Sequence, residues 1–125
     1  MMGYRAGYSS ETGRNNVYIG YMSANNNIAG DFNIVIGYQA GQNMDNTSRN
    51  FYIGYRAGRA NTTGLNNVAV GLNALNKNTT GNSNLALGTG TLFENTTGNN
   101  NTAVGTAVLS SNTSGGKIRG WAMKL

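Results

Sequence analysis

The sequence predicts an all-β protein, a parallel β-roll or β-solenoid of seven 17-residue coils, and three observations carry that prediction. An aliphatic residue or Met followed by Gly recurs every 17 residues, as Met2-Gly3, Ile19-Gly20, Ile36-Gly37, Ile53-Gly54, Val70-Gly71, Leu87-Gly88 and Val104-Gly105, with no insertion or deletion. Apolar residues two apart lead into most of these glycines, and residues two apart share one face of a strand. No 3.6-residue periodicity occurs, and despite 22 Asn and 19 Gly there is no Asn-Gly dipeptide, the strongest signal for a tight hairpin. A parallel coil is therefore favoured over an antiparallel meander.

Each unit begins at its glycine. The third residue after it is small in six of seven units (Ala6, Ser23, Ala40, Ala57, Ala74, Thr91), with Val108 the exception. The seventh is Asn in five: Asn27, Asn61, Asn78, Asn95 and Asn112. A second glycine stands at the tenth residue, as Gly13, Gly30, Gly64, Gly81, Gly98 and Gly115, with only Thr47 departing. Its polar setting reads as a turn in which Gly and Asn tolerate positive φ. The thirteenth residue is Asn16, Asn33, Asn50, Asn67, Asn84 or Asn101 in six units. In a stack these six Asn form a structural ladder, bonding amide to amide and to turn backbone groups, coil above coil.

The strand follows that Asn. Its outer two positions, as in Val17/Ile19, Ile34/Ile36, Phe51/Ile53, Val68/Val70 and Leu85/Leu87, read as the inward side. The residue between them (Tyr18, Val35, Tyr52, Ala69, Ala86, Ala103) then looks toward solvent or a partner chain. Seventeen residues are too few for a helix-containing repeat and fit one coil of two short strands and two turns. Seven coils at about 4.8 Å would stand roughly 34 Å tall.

The array has two halves. Tyr4, Tyr21, Tyr38 and Tyr55 follow the first four glycines, whereas Leu72, Thr89 and Thr106 follow the next three. Four residues after the glycine, Gly7, Ala24, Gly41 and Gly58 give way to Leu75, Leu92 and Leu109. This reciprocity implies coupled packing of the Tyr with that site across a shared space. The alternative reading of the four Tyr is an exposed aromatic strip that stacks on sugars or on a partner. The repeat domain spans residues 1–115, and residues 116–125 read as a cap, a junction or a disordered end. Met1-Met2 enters in mid-unit without a charged and apolar leader, so the chain reads as an excerpt of something longer or as a product whose first partner is another chain.

The unit Asn-Thr-Thr-Gly-x-Asn-Asn-Val-Ala-Val-Gly-x-x-Ala-Leu, at 61–75 and, with Val108 for Ala, at 95–109, resembles the head repeats of trimeric autotransporter adhesins. It is also similar to related repeats in bacteriophage tail fibres. The likeness runs from residue 1 to about residue 115. It implies a left-handed parallel β-roll, a homotrimer around a common axis, and attachment to a cell-surface glycan or receptor from an extracellular position on a virion or bacterial surface. Lys117-Ile118-Arg119 is similar to the segment that leads into a chaperone peptidase domain in tail fibres, but Gly120-Trp121-Ala122 departs from it at once. Independently of the resemblance, a coil with three or four modest apolar side chains cannot bury enough on its own, and association of several chains is expected to supply part of the difference.

Composition narrows the chemistry. With no Cys, His or Pro, the chain lacks disulfides, thiolate sites and the commonest metal ligand and general base. Glu11, Asp31, Asp45 and Glu94 are its only carboxylates. Glu11 and Asp45 share a slot two coils apart, but nothing in the sequence differentiates them as acid and base. No recurrent Asp marks a calcium β-roll, and no phosphate loop is complete. An enzyme, a cofactor and a metal are therefore not expected. The nine cations that give a net charge of +5 form no single stripe, so nucleic acid is not expected as a partner, although attraction to an acidic surface polymer fits the charge. No apolar run exceeds three residues, as in Ile34-Val35-Ile36, far too short to enter a membrane as a helix.

These features lead to a non-enzymatic structural and attachment segment of a surface fibre. An extracellular filament subunit stacking end to end is the alternative. An ice-binding solenoid ranks below both: the adjacent Thr62/Thr63 and Thr79/Thr80 pairs cannot both face one flat array and suit turn backbone groups instead.

Overall fold

The computed structural model describes residues 1–121. It contains seven three-residue strands: β1 (Val17–Ile19), β2 (Ile34–Ile36), β3 (Phe51–Ile53), β4 (Val68–Val70), β5 (Leu85–Leu87), β6 (Thr102–Val104) and β7 (Arg119–Trp121). They form one parallel sheet in chain order. Tyr18 lies opposite Val35, Val35 opposite Tyr52 and Tyr52 opposite Ala69, so the register follows the 17-residue period. The fold is a parallel β-solenoid, and no helix occurs among the described residues. From β1 to β7 the stack rises by roughly 29 Å at about 4.8 Å per coil. Residues 116–121, which the sequence marks as a cap or junction, carry β7, which pairs with β6. The remaining four residues of that segment, 122–125, lie outside the described residues.

The strand faces are reversed relative to the sequence expectation. The middle residues Tyr18, Val35, Tyr52, Ala69, Ala86 and Ala103 are fully buried, while the flanking residues are half-buried or exposed. The large aliphatic pairs expected in the core therefore line the outside of the sheet. The physical reason is the narrowness of the coil interior. Asn side chains line it, and one large side chain per coil, either the middle strand residue or the residue four after the glycine, fills most of the rest, so each strand contributes one inward side chain rather than two.

The coils also contain one strand each, not two. Opposite the sheet, the chain bends through left-handed residues at the second and fourth positions after each glycine: Gln39 and Gly41 both have φ 53°, and Asn73 and Leu75 have φ 57° and 52°. Each non-Gly residue there costs about 1–2 kcal/mol of backbone strain. Alternating hands aim successive N–H groups along the stack in opposite senses. Gln39 N–H donates back to the Tyr21 carbonyl at 2.8 Å, and Gly41 N–H donates forward to the Ala57 carbonyl at 2.9 Å. Backbone ladders thus stitch the coils together even where no strand exists.

Coupled packing is present, but between different partners from those expected. The Tyr that follow the first four glycines point outward, whereas Leu75 and Leu92 point into the core. The side chain four after each glycine instead meets the inward strand residues. A Cβ on Gly58 would lie 2.5–2.6 Å from three ring atoms of Tyr52, and one on Gly41 would lie 3.2 Å from both Tyr52 and Val35. Gly or Ala therefore accompanies Tyr18, Val35 and Tyr52, while Leu75, Leu92 and Leu109 accompany Ala69, Ala86 and Ala103. Core volume is held by moving bulk between two columns.

The second glycine of each unit is also required for a different reason from positive φ. None of these glycines has positive φ. A Cβ on Gly81 would instead collide with Asn78 Oδ1 of its own coil and with the Gly98 carbonyl of the next. Thr47 occupies this slot only where Met44 replaces the Asn, and its hydroxyl donates to the Gly64 carbonyl.

Candidate functional site

The Asn residues expected to form a ladder do so, with a specific division of labour. At the thirteenth position each side-chain oxygen accepts the backbone N–H of the corresponding residue in the next coil. Asn33, Asn50, Asn67, Asn84 and Asn101 donate in this way to Asn16, Asn33, Asn50, Asn67 and Asn84 at 2.8–3.0 Å. The amide nitrogens donate forward to the tenth-position carbonyl, as from Asn67 to Gly81 and from Asn84 to Gly98, both at 2.8 Å. The longest amide-to-amide chain runs in the other Asn column. Asn78 Nδ2 donates to Asn61 Oδ1 at 2.8 Å, Asn95 to Asn78 at 2.9 Å and Asn112 to Asn95 at 2.8 Å. Most of these amides are buried and engaged on both oxygen and nitrogen, so they hold coils together and offer nothing to a ligand.

Two buried phenols join this network. Tyr18 Oη accepts from Asn27 Nδ2 at 2.7 Å, and Tyr52 Oη donates to Asn50 Oδ1 at 3.2 Å. Desolvation by burial pushes both phenols above their ordinary pKa, against the opposing effect of hydrogen bonds from Asn side chains.

The carboxylates do not assemble. Glu94 pairs with Lys77 at 3.0 Å across one coil spacing, with both side chains well exposed. Asp31 accepts the Arg14 N–H at 2.6 Å, while Glu11 and Asp45 are exposed at their shared slot. Among the described residues no group of three or more His, Cys, Asp or Glu converges on a metal-sized site. Thr62, Thr79 and Thr96 donate their hydroxyls to the carbonyls of Thr79, Thr96 and Thr113, so that ladder is committed to the scaffold.

Two surfaces remain. The first is the outer face of the sheet, two columns wide, with Thr102 the only polar residue from β1 to β6. Its uncovered character is clearest at Val17 and Ile19, which are 43% and 36% exposed. The second adjoins it across the unit glycines. Tyr4, Tyr21, Tyr38 and Tyr55 form a continuous stack with centroids 5.4, 5.1 and 5.2 Å apart and planes within 14°. Each is at least 40% exposed. Because the rings cover one another's faces, this rail presents edges and hydroxyls to solvent.

Cations flank the rail. Arg5 lies 5.7 Å from the Tyr4 ring centre and 4.9 Å from that of Tyr8, and Arg56 lies 5.1 Å from that of Tyr55. Glutamines of the preceding coil orient two guanidiniums through Nε. Gln39 Oε1 accepts from Arg56 at 2.8 Å and Gln42 Oε1 from Arg59 at 3.3 Å. Along the sequence these cations look scattered. Their signal is the 17-residue offset itself, which places Gln39 under Arg56 and Gln42 under Arg59.

The architecture is that of a repeat protein with a parallel β-solenoid fold. No protein-family model, curated protein or solved structure matches the chain.

Proposed function

We propose that this chain is a non-enzymatic segment of a homotrimeric surface fibre, carried outside a bacterial cell or on a virion, serving as rigid spacer and attachment surface. The observation that carries the reading is the apolar outer face of the sheet. Val, Ile, Leu and Phe fill it from β1 to β6 apart from Thr102. A row of this length is unusual on the free surface of a monomer, and copies of the same chain, carrying the same row at the same spacing, are its natural cover. The likeness of the repeat to trimeric adhesin heads and tail fibres supports three chains and a left-handed coil. The dispersed carboxylates and committed Asn and Thr ladders fit a role of shape rather than catalysis.

Sedimentation equilibrium at micromolar concentration tests the proposal. A species of three times the 13.1 kDa chain mass is expected. The double variant Val68→Asp/Val70→Asp should reduce it to monomer. A wild-type monomer with full β-sheet circular dichroism would overturn the trimer, and a mass that grows with concentration into rods would replace it with end-to-end filaments.

A further inference from the structure

If the chain is a surface fibre, its attachment surface can be narrowed to one strip of the solenoid, an inference that rests on the fibre reading. We infer that the rail Tyr4–Tyr21–Tyr38–Tyr55, with Arg5 and Arg56 at its two ends, binds an acidic polysaccharide laid parallel to the solenoid axis. Three features select this ligand class.

The first is spacing. Phenol groups recur at ring-centre separations of 5.1–5.4 Å, set rigidly by the coil rise. One hexopyranose of an extended chain advances by a length comparable with that rise of about 4.8 Å, so successive sugars meet successive phenols.

The second is chemistry. Stacked rings expose hydroxyls that both donate and accept, which suits a ligand covered in hydroxyl groups. Bases of a single-stranded nucleic acid need open aromatic faces on which to stack, and here the interior faces are occupied.

The third is charge. Arg5 and Arg56 stand three coils apart, roughly 14 Å along the axis. Among the described residues the one ion pair is Lys77–Glu94, so no carboxylate neutralises either guanidinium. Gln39 holds Arg56 by Nε and leaves its terminal nitrogens for an oxyanion. Two guanidiniums this far apart can each meet a carboxylate of a polymer with at most one charge per sugar, a far sparser array than duplex DNA, which carries a charge about every 1.7 Å.

The test uses the full chain with immobilised polygalacturonate, its fully methyl-esterified form, and a single-stranded DNA oligonucleotide. Two double variants accompany it, Tyr21→Thr/Tyr38→Thr and Arg5→Gln/Arg56→Gln. Threonine occupies the same slot at Thr89 and Thr106, so the first variant places there a residue the fold already accepts. The wild type should bind polygalacturonate at least tenfold more tightly than the ester, and less tightly as salt is raised. Each double variant should lose tenfold or more, with circular dichroism and sedimentation unchanged. Equal affinity for acid and ester, absence of binding, unaffected variants, or equally tight DNA binding through the same residues would overturn the inference. If Tyr21→Thr/Tyr38→Thr dissociates the oligomer, the rail belongs to the chain interface and the inference falls while the fibre stands. A monomeric wild type that still binds polygalacturonate would remove the trimer alone.

Discussion

Replacing Tyr52 by Ala and Gly58 by Leu, singly and together, tests how the core keeps its volume. Tyr52 is fully buried, and its ring occupies the space where a Cβ of Gly58 would stand, at 2.5–2.6 Å from three of its atoms. Tyr52→Ala removes a large buried ring and breaks its hydrogen bond to Asn50, so about 3–5 kcal/mol of stability should be lost. Gly58→Leu forces a side chain into the ring and gives a non-Gly residue a φ of 57°. Overpacking and left-handed strain together put its cost at about 2–5 kcal/mol. The double variant reproduces the arrangement already present one coil later, where Leu75 accompanies Ala69. The strain at residue 58 remains, but the collision disappears and the cavity is filled. The double variant should therefore be at least about 2 kcal/mol more stable than the sum of the single losses implies. Urea unfolding followed by circular dichroism, with all four proteins at one concentration, measures the cycle. Additivity within about 0.5 kcal/mol would refute the idea that the two columns share one volume.

Asn67→Ala leaves the buried Asn84 N–H without its acceptor and takes one donor from the Gly81 carbonyl, so a loss of about 2–4 kcal/mol is expected in the same unfolding assay. Asn16→Ala, on the more exposed first coil, should cost about half as much, and equal losses would argue against a ladder that strengthens with burial. Gly81→Ala should destabilise by more than about 2 kcal/mol although φ there is unexceptional, because the methyl meets Asn78 Oδ1 and the Gly98 carbonyl; thermal melts provide the check. Tyr18 and Tyr52 have folded-state pKa values above the ordinary phenol value. The stability they contribute is present below about pH 10 and is lost as pH climbs beyond it toward the folded values. Ultraviolet titration should show Tyr18 and Tyr52 ionising only as the chain unfolds, whereas their ionisation at about pH 10 in a chain still folded by circular dichroism would contradict their burial.

The period, the parallel register and the Asn ladder are legible in the sequence because each is a property of position within the unit. Orientation is not. Val68, Ala69 and Val70 read naturally as two inward aliphatics around one outward alanine, yet the alanine is the buried residue. Alternation fixes that neighbours face opposite ways but does not say which way is in, and the larger side chains point inward only when the interior has room for them. The same missing direction makes Tyr55, rather than Tyr52, look like the packing partner of Gly58. Left-handed backbone at Arg56, Asn73 or Leu75 carries no residue signature, so the side of the coil without a strand reads as a second strand. The cation arrangement at the rail requires knowing which columns adjoin across a turn.

The amide column through Asn61, Asn78, Asn95 and Asn112 has a direction. Asn78, Asn95 and Asn112 each direct Nδ2 to the preceding coil, where Asn61, Asn78 and Asn95 accept it through Oδ1. The side-chain dipoles therefore align head to tail, as peptide dipoles do in a helix, and each bond polarises the next. One end of the column offers hydrogen-bond donors and the other acceptors. A coil placed on this column upside down would set N–H against N–H or oxygen against oxygen, so the amide chain can be extended in only one polarity.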